Sequence, residues 1–175
     1  GSDLPGIAPC LTLALDLQGK HVVEQNLRLV EQWTGNIENK RIRYDFPVDP
    51  VDAAHVKGYL QEKGISPEQP LFCIHPGSGT WVKQWPEDKW AEAADTLVEQ
   101  IGAQVVFTGG AHEAPLIRRI AAHMKQPAII TVGDTAVGTL AALFQRAKVV
   151  LGPDSGPLHL AVAVGTATVT LFGPA

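Results

Sequence analysis

The amino-acid sequence predicts an α/β fold in which a Rossmann-like parallel sheet is flanked by helices. From residue 71 onward, short apolar runs alternate with segments of helical periodicity, which is the rhythm of β-α-β units. These runs are apolar throughout rather than at alternate positions, as expected of strands that are covered on both faces. Loops rich in glycine follow several of the runs, at the end of the strand where open α/β sheets bind ligands.

The elements of this region follow from local periodicity and from the residues at their ends. The predicted strands are residues 71–75, 104–108, 128–131, 148–151 and 168–172, and the predicted helices are residues 87–101, 113–124, 140–147 and 160–164. The first helix has apolar residues at three- and four-residue intervals from Trp90 to Ile101, which indicates a face directed at the core. Pro86 before it and Gly102 after it are typical of a helix start and a helix end.

The amino-terminal part of the chain has a different organisation. Residues 11–17 are apolar and predict a strand, and residues 21–33 predict an amphipathic helix. The polar segment 36–50 carries two prolines and is predicted to be a linker. A further helix is predicted for residues 51–63, with Gly64 at its end.

Composition excludes several classes of function. The chain has 175 residues, enough for one domain with a sizeable core, and a formal net charge of −4, which argues against a general nucleic-acid or polybasic membrane surface. No apolar run approaches the roughly 20 residues of a bilayer-spanning helix, and no leader sequence is evident. Cys10 and Cys73 form no metal-like cluster, so a reducing, cytoplasmic setting is expected.

The first candidate loop, residues 75–83, follows the strand at 71–75. Its glycines and hydroxyls, among them Gly79 and Ser78, can approach phosphate, and Lys83 supplies positive charge. The loop is not a P-loop, because no Gly-Lys-Ser/Thr closes it at the required spacing. An ordinary Gly/Ser turn is the alternative interpretation.

The second candidate loop, residues 109–113, follows the strand at 104–108. Its two glycines leave room for a ligand, and Glu113 is placed to accept hydrogen bonds from a ribose. Alternatively, Glu113 only stabilises the first turn of the following helix, where a negative charge is favourable. His112 is expected at the surface.

The third candidate loop, residues 152–159, joins a strand to the start of a small-residue helix. Free backbone N–H groups at a helix start attract phosphate, and Gly156 removes the side chain that would keep phosphate away. Asp154, Ser155 and His159 add polar groups. Alternatively, Asp154 or Ser155 caps the helix and His159 is structural. Three such loops at one edge of a sheet favour a ligand site more than any one of them does.

Other site types lack their sequence signatures. The serine at 155 is not in a Gly-x-Ser-x-Gly context, the six histidines lack zinc-like spacing, and no Gly-x-Gly-x-x-Gly follows a strand. Trp81, Trp85 and Trp90 are predicted to pack around the first loop.

Three strings together resemble the ADP-heptose:lipopolysaccharide heptosyltransferase family, glycosyltransferases of GT-B architecture. They are HPGSGTWVKQWPEDKWAEAADTL, VVFTGGAHE and TLAALFQRAKVVLGPDSGPLHLAVAVGTATVTLFGPA, and they occur in the family's order and spacing over residues 71–174. HVVEQNLRLVEQWTG is similar to the family's interdomain helix. The resemblance implies that residues 1–35 are a remnant of an acceptor domain with the interdomain helix, 36–50 a linker, and 51–175 a sugar-nucleotide-binding domain.

The resemblance also implies roles for residues of all three loops. Ser78 and Gly79 would lie against the donor diphosphate, with Lys83 pairing its charge. Glu113 would lie near the nucleoside. The residues implied around the phosphates and the donor sugar are Asp154, Ser155, Gly156 and His159. GT-B enzymes commonly use such groups in place of a metal, so no metal and no further cofactor is expected.

The implied activity is inverting transfer of a heptose or related sugar from a nucleoside-diphosphate sugar, ADP-heptose, to a lipopolysaccharide core. The acceptor would be a lipid-linked saccharide at the inner face of the inner membrane. The family's proposed base is an amino-terminal aspartate in a Gly-Asp context, which Asp3 matches poorly. The segment LDLQG, residues 15–19, resembles an element that the family places far upstream of the interdomain helix. We therefore expect most of the acceptor domain to be absent and assign no catalytic residue.

Two alternatives remain open on the sequence. The chain could be a non-catalytic nucleotide- or phosphate-binding module, which would bind nucleotide without transfer even beside an intact acceptor domain. It could also be a sugar-nucleotide epimerase of similar architecture, which the first and third loops fit less well. The sequence does not indicate an oligomeric state.

Overall fold

A computed structural model describes residues 22–35, 45–133 and 135–173 of the chain. The chain divides into two compact units, Gly1–Arg43 and Tyr44–Ala175. The described part of the first unit is helix α1 (Val22–Thr34), which agrees with the predicted amphipathic helix. The predicted strand at 11–17 and most of the predicted linker lie outside the described residues.

The second unit contains a five-stranded parallel sheet. Its strands are β1 (Leu71–Ile74), β2 (Gln104–Gly109), β3 (Ile129–Val132), β4 (Val149–Pro153) and β5 (Ala167–Leu171), and their spatial order is β3-β2-β1-β4-β5. The chain moves outward from β1 to β3 and then returns to place β4 on the other side of β1. This reversal of strand order opens a crevice at the carboxyl ends of β1 and β4. The predicted fold class is confirmed.

Five helices connect and cover these strands. They are α2 (Pro50–Glu62), α3 (Glu87–Ile101), α4 (Ala114–His123), α5 (Val137–Arg146) and α6 (Gly156–Ala163). Helix α2 begins where the Asp49 carboxylate accepts the N–H of Val51 at 2.7 Å. Helix α3 ends at Gly102, whose φ of 65° is in the left-handed region. None of the helices in the described part of the chain is long and apolar enough to cross a membrane.

The strands are apolar throughout because each face of the sheet carries a layer of the core. On one face, Cys73 and Val150 pack with residues of α2, α5 and α6. On the other face, Ile74 and Phe107 pack with residues of α3 and α4. Successive side chains of a strand alternate between the two faces, so burial on both sides requires an unbroken apolar run. Complete burial raises the pKa of the Cys73 thiol, which packs as a small apolar side chain.

The tryptophans do not all pack as predicted. Trp90 on α3 is 1% exposed, and Trp85 contacts it edge-on with 5.0 Å between the ring centroids. Trp81 is instead 82% exposed, so the packing prediction is wrong for this residue. It lies in a short 3₁₀ helix, Trp81–Lys83, which has no buried residue, whereas Trp90 lies on the core-facing stripe of α3.

Candidate functional site

A cleft of about 370 Å³ opens at the carboxyl edge of the sheet, in the crevice between β1 and β4. Loops that follow four of the five strands contribute to its walls. Its polar side chains are His75, Ser78, Thr108, His112, Glu113, Thr131, Thr135 and Ser155. Of the residues predicted from the sequence, those that line the cleft are Ser78, Gly79, Glu113, Ser155 and Gly156. The structure therefore brings the three candidate loops together.

The close approach of the first and third loops depends on Gly152 in β4. A Cβ atom at this position would lie 2.6 Å from the backbone oxygen of His75 and 2.5 Å from a methyl carbon of Leu158. Real Cβ atoms essentially never approach other atoms so closely, so only glycine allows β1 and β4 to meet here. The start of α6 is consequently held beside the loop that follows β1.

The start of α6 offers one buried hydroxyl and few backbone donors. Ser155 is the N-cap, but its side chain makes no capping hydrogen bond. Its Oγ is buried and has no hydrogen-bond partner among the described residues. Pro157 has no N–H, and the N–H of Leu158 donates to the Ser155 carbonyl at 3.1 Å. The start of α6 therefore offers fewer free N–H groups than predicted. The Ser155 hydroxyl is the side-chain group there that has no hydrogen-bond partner among the described residues.

The Glu113 carboxylate forms one wall of the cleft and is fixed from several sides. Its Oε2 accepts the N–H of Gly110 at 2.7 Å and lies 3.6 Å from Nε2 of His75. A Cβ atom at Gly77 would lie only 1.6 Å from its Oε1, so the carboxylate occupies the space that this glycine leaves open. The alternative role at a helix start is also present, because the carboxylate accepts the N–H of Gly110, the residue that precedes the 3₁₀ turn Ala111–Glu113. His112 is at the surface, as predicted.

His75 is a cleft residue that was not among the predicted site residues. It is 6% exposed, and its Nδ1 lies 3.0 Å from the hydroxyl of Thr108, which is also buried. Burial lowers the pKa of His75, and the opposing charge of Glu113 only partly offsets this effect. The imidazole is therefore neutral near pH 7. The sequence signal that could have identified His75 is its position directly after a buried strand and before Pro76-Gly77.

Thr131 and Thr135 are two further lining residues, and neither belongs to the predicted set of site residues. Thr131 is at the end of β3, and its hydroxyl hydrogen-bonds the Tyr59 hydroxyl at 2.7 Å. Tyr59 belongs to α2, so this hydrogen bond ties that helix to the edge of the cleft. Thr131 lines the cleft because it lies near the carboxyl end of β3, and Thr135 belongs to the loop that follows this strand.

Lys83, Asp154 and His159 form a separate charged cluster and are not among the residues that line the cleft. The Lys83 ammonium lies 2.8 Å from Oδ2 of Asp154, and Nε2 of His159 lies 3.6 Å from Oδ1 of the same carboxylate. The hydrogen bond from Lys83 and its positive charge lower the pKa of Asp154. Asp154 directly precedes Ser155, so the cluster adjoins the cleft through the backbone. A lysine ammonium has three donors, so Lys83 keeps capacity for another acceptor.

Comparison with known proteins relates this geometry to a family. The model of glycosyltransferase family 9 (heptosyltransferase) matches residues 7–175. The chain belongs to this family. The resemblance noted in the sequence is thereby confirmed, and the cleft lies in a member of a glycosyltransferase family.

One curated relative and two solved structures are similar to this chain. A lipopolysaccharide heptosyltransferase 3 of Escherichia coli is 29% identical over 165 residues, which cover 93% of this chain and 47% of the relative. The structure of the glycosyl transferase family 9 from Veillonella parvula DSM 2008 matches with a TM-score of 0.82 at 24% identity, covering 97% of this chain and 49% of that one. The E. coli heptosyltransferase WaaC with ADP matches with a TM-score of 0.61 at 22% identity, covering 90% and 47%. The chain spans about half the length of these relatives.

Proposed function

We propose that this chain is the donor-binding half of an inverting heptosyltransferase. Its cleft would bind a nucleoside-diphosphate sugar, ADP-heptose, and the complete enzyme would transfer the heptose or a related sugar to a lipopolysaccharide core acceptor. Membership of family 9 supports the reaction class. The relative named as a lipopolysaccharide heptosyltransferase supports the acceptor class, and the relative solved with ADP supports the nucleotide.

The observation that carries the proposal is the unpartnered Ser155 hydroxyl in a cleft walled by four glycine-containing loops. A buried polar group without a partner costs free energy, so a ligand oxygen that accepts from it gains that free energy on binding. The diphosphate would lie against Ser78, Gly79, Ser155 and Gly156. The ribose would lie at Glu113, because a fixed carboxylate is suited to accept hydrogen bonds from vicinal hydroxyls.

The charged cluster would act on the leaving group. When the bond from the anomeric carbon to the β-phosphate oxygen breaks, its electron pair stays on that oxygen and negative charge grows on the nucleoside diphosphate. Lys83 would stabilise this charge with its remaining N–H donors, while Asp154 keeps the ammonium next to Ser155. His159 would lie toward the phosphates and the donor sugar. Lys83 would thereby stabilise the charge of the leaving diphosphate, as a metal ion does in other transferases. We propose no cofactor.

The acceptor side of the reaction is proposed to lie outside these residues. Inversion requires the acceptor hydroxyl to attack the anomeric carbon from the face opposite the leaving group, and a base must take its proton. We assign no base on this chain and propose that the 175 residues alone bind donor without transferring sugar. The complete enzyme would work in the cytoplasm, at the inner face of the inner membrane, where a lipid-linked saccharide is available.

Titration calorimetry with nucleoside diphosphates tests the proposal. We expect ADP to bind the 175-residue chain, and Ser155→Ala to weaken that binding by about three- to tenfold without lowering the thermal midpoint, because the hydroxyl has no partner in the free protein. The matched control is Ser66→Ala, since the Ser66 hydroxyl bonds Glu68 in an exposed turn. Equal ADP affinity in all three proteins, or no binding of any nucleoside diphosphate, would contradict the proposal.

A second assay separates an enzyme from a non-catalytic module. The chain is joined to an intact acceptor domain from the family, and ADP release from ADP-heptose is measured with a lipopolysaccharide acceptor. Turnover supports the transferase. Nucleotide binding with no donor consumption would favour the non-catalytic module.

A further inference from the structure

His75 lies between two side chains from the end of β2 and the loop that follows it. Its Nδ1 faces the Thr108 hydroxyl at 3.0 Å, and its Nε2 faces the Glu113 carboxylate at 3.6 Å. We propose that His75 is a positioning residue that fixes Glu113 as the ribose-recognising acceptor and so makes the cleft selective for nucleotides with intact ribose hydroxyls. This inference rests on the proposed function of the cleft.

The neighbours of the ring select one of its two neutral tautomers. If Nε2 carries the hydrogen, the N–H dipole points toward the Glu113 carboxylate, and Nδ1 accepts from the Thr108 hydroxyl. The opposite tautomer would direct a lone pair at the carboxylate, which is unfavourable. The separation of 3.6 Å is longer than a hydrogen bond, so the ring acts on Glu113 through its dipole and its bulk.

The two oxygens of Glu113 have different surroundings. Oε2 accepts the N–H of Gly110 and faces the ring of His75. Oε1 receives no hydrogen bond from the described residues and lies in the space left by Gly77, beside the loop that follows β1. One oxygen therefore anchors the side chain and the other remains an acceptor for a ligand. Among the residues that the structure describes, the other titratable group near this pair is His112, which is 86% exposed.

Selectivity follows because an acceptor that is already in place needs no ordering when the ligand binds. A hydrogen bond to a charged group is strong enough to give about a ten- to hundredfold preference for a ligand that carries the hydroxyl. Without the ring, the Glu113 carboxylate gains rotational freedom. Binding of the ribose must then order this side chain, and the entropic cost reduces the preference for ligands that carry the hydroxyls.

The test compares ADP with 2′,3′-dideoxyadenosine diphosphate by calorimetry on the 175-residue chain. We expect wild type to prefer ADP by about tenfold or more. His75→Asn retains a polar atom near Thr108 but withdraws the group that faces Glu113, so the preference falls to within about threefold. His75→Gln places an amide N–H near the position of Nε2, and we expect it to retain most of the preference. A role in packing alone would lower the affinity for both ligands equally and leave their ratio unchanged.

Each outcome decides the inference. A wild-type ratio retained by a folded His75→Asn variant would overturn the role of His75. If His75→Asn does not fold, Thr108→Val serves instead: this variant removes the side-chain hydrogen bond that holds the ring beside Glu113, and an unchanged ratio would again overturn it. Wild type that binds both ligands equally contradicts ribose recognition while leaving diphosphate binding intact. Wild type that binds neither ligand contradicts the proposed function itself.

Discussion

The two ends of the candidate donor site differ in burial and in how their charged groups are held. At the His75–Glu113 end, the side chains are 7% and 14% exposed and are fixed by a backbone N–H, a buried hydroxyl and the absence of a side chain at Gly77. At the Lys83–Asp154 end, the side chains are 38% and 31% exposed and bond mainly to each other. Ser155 lies between the two ends.

This difference indicates a division of labour in binding. The buried end has one arrangement before the ligand arrives, so it is suited to recognise the constant part of the donor. Ion pairs that are open to solvent contribute little to stability and rearrange readily. The exposed end is therefore suited to charges that change during the reaction, as those of a departing diphosphate do.

The largest expected effect comes from filling the space beside Glu113. In Gly77→Ala, the new methyl group overlaps Oε1 of Glu113, so the carboxylate must leave its position. We expect a loss of stability of about 1–3 kcal/mol and a more than tenfold loss of ADP affinity. Chemical denaturation and calorimetry measure the two effects.

The matched control for this substitution is Gly58→Ala in α2. No heavy atom lies within 4 Å of a Cβ at Gly58, and its φ is not in the left-handed region. This variant should gain about 0.5–1 kcal/mol of stability, because alanine is the better helix former, and its ADP affinity should not change. If Gly77→Ala binds ADP as tightly as Gly58→Ala, the buried end does not recognise the ligand.

A smaller effect on the fold is expected at the exposed end. In Lys83→Ala, the ion pair with Asp154 is lost, but both side chains are accessible to water, so the thermal midpoint should hardly move. ADP affinity should fall by about tenfold, because a cation near the phosphates is removed. Lys89→Ala is the control, since Lys89 makes a similar exposed pair with Glu92 at 2.7 Å on α3. If Lys83→Ala clearly lowers the thermal midpoint but leaves ADP affinity unchanged, Lys83 stabilises the fold and does not bind the diphosphate.

Local signals predicted some elements well and others less well. Helix α3 has the predicted bounds because Pro86 and Gly102 mark both ends. Helix α6 begins at Gly156, four residues before the predicted start at 160. A glycine-proline pair is typical of a loop, but Pro157 is also compatible with a first helical turn, and here it occupies one.

The site was predictable only to the level of its loops. Parallel strands end at one edge, so the sequence could place Ser78, Glu113 and Ser155 near each other. It could not predict that His75 faces Glu113, because that contact depends on the register of β1 with β2 and on the space at Gly77. The sequence also left open whether the Ser155 hydroxyl caps α6, and the structure shows that it does not.

The most direct test is the crystal structure of the chain with ADP. We predict a phosphate oxygen within hydrogen-bond distance of Ser155 Oγ and a ribose hydroxyl within hydrogen-bond distance of Glu113 Oε1, with the ring of His75 unmoved. A competing cavity lies between α2 and α5, holds about 350 Å³ and is lined by residues that include Val56, Leu60 and Arg146. ADP bound in that cavity, with the cleft at the carboxyl edge of the sheet left empty, would contradict the proposed donor site.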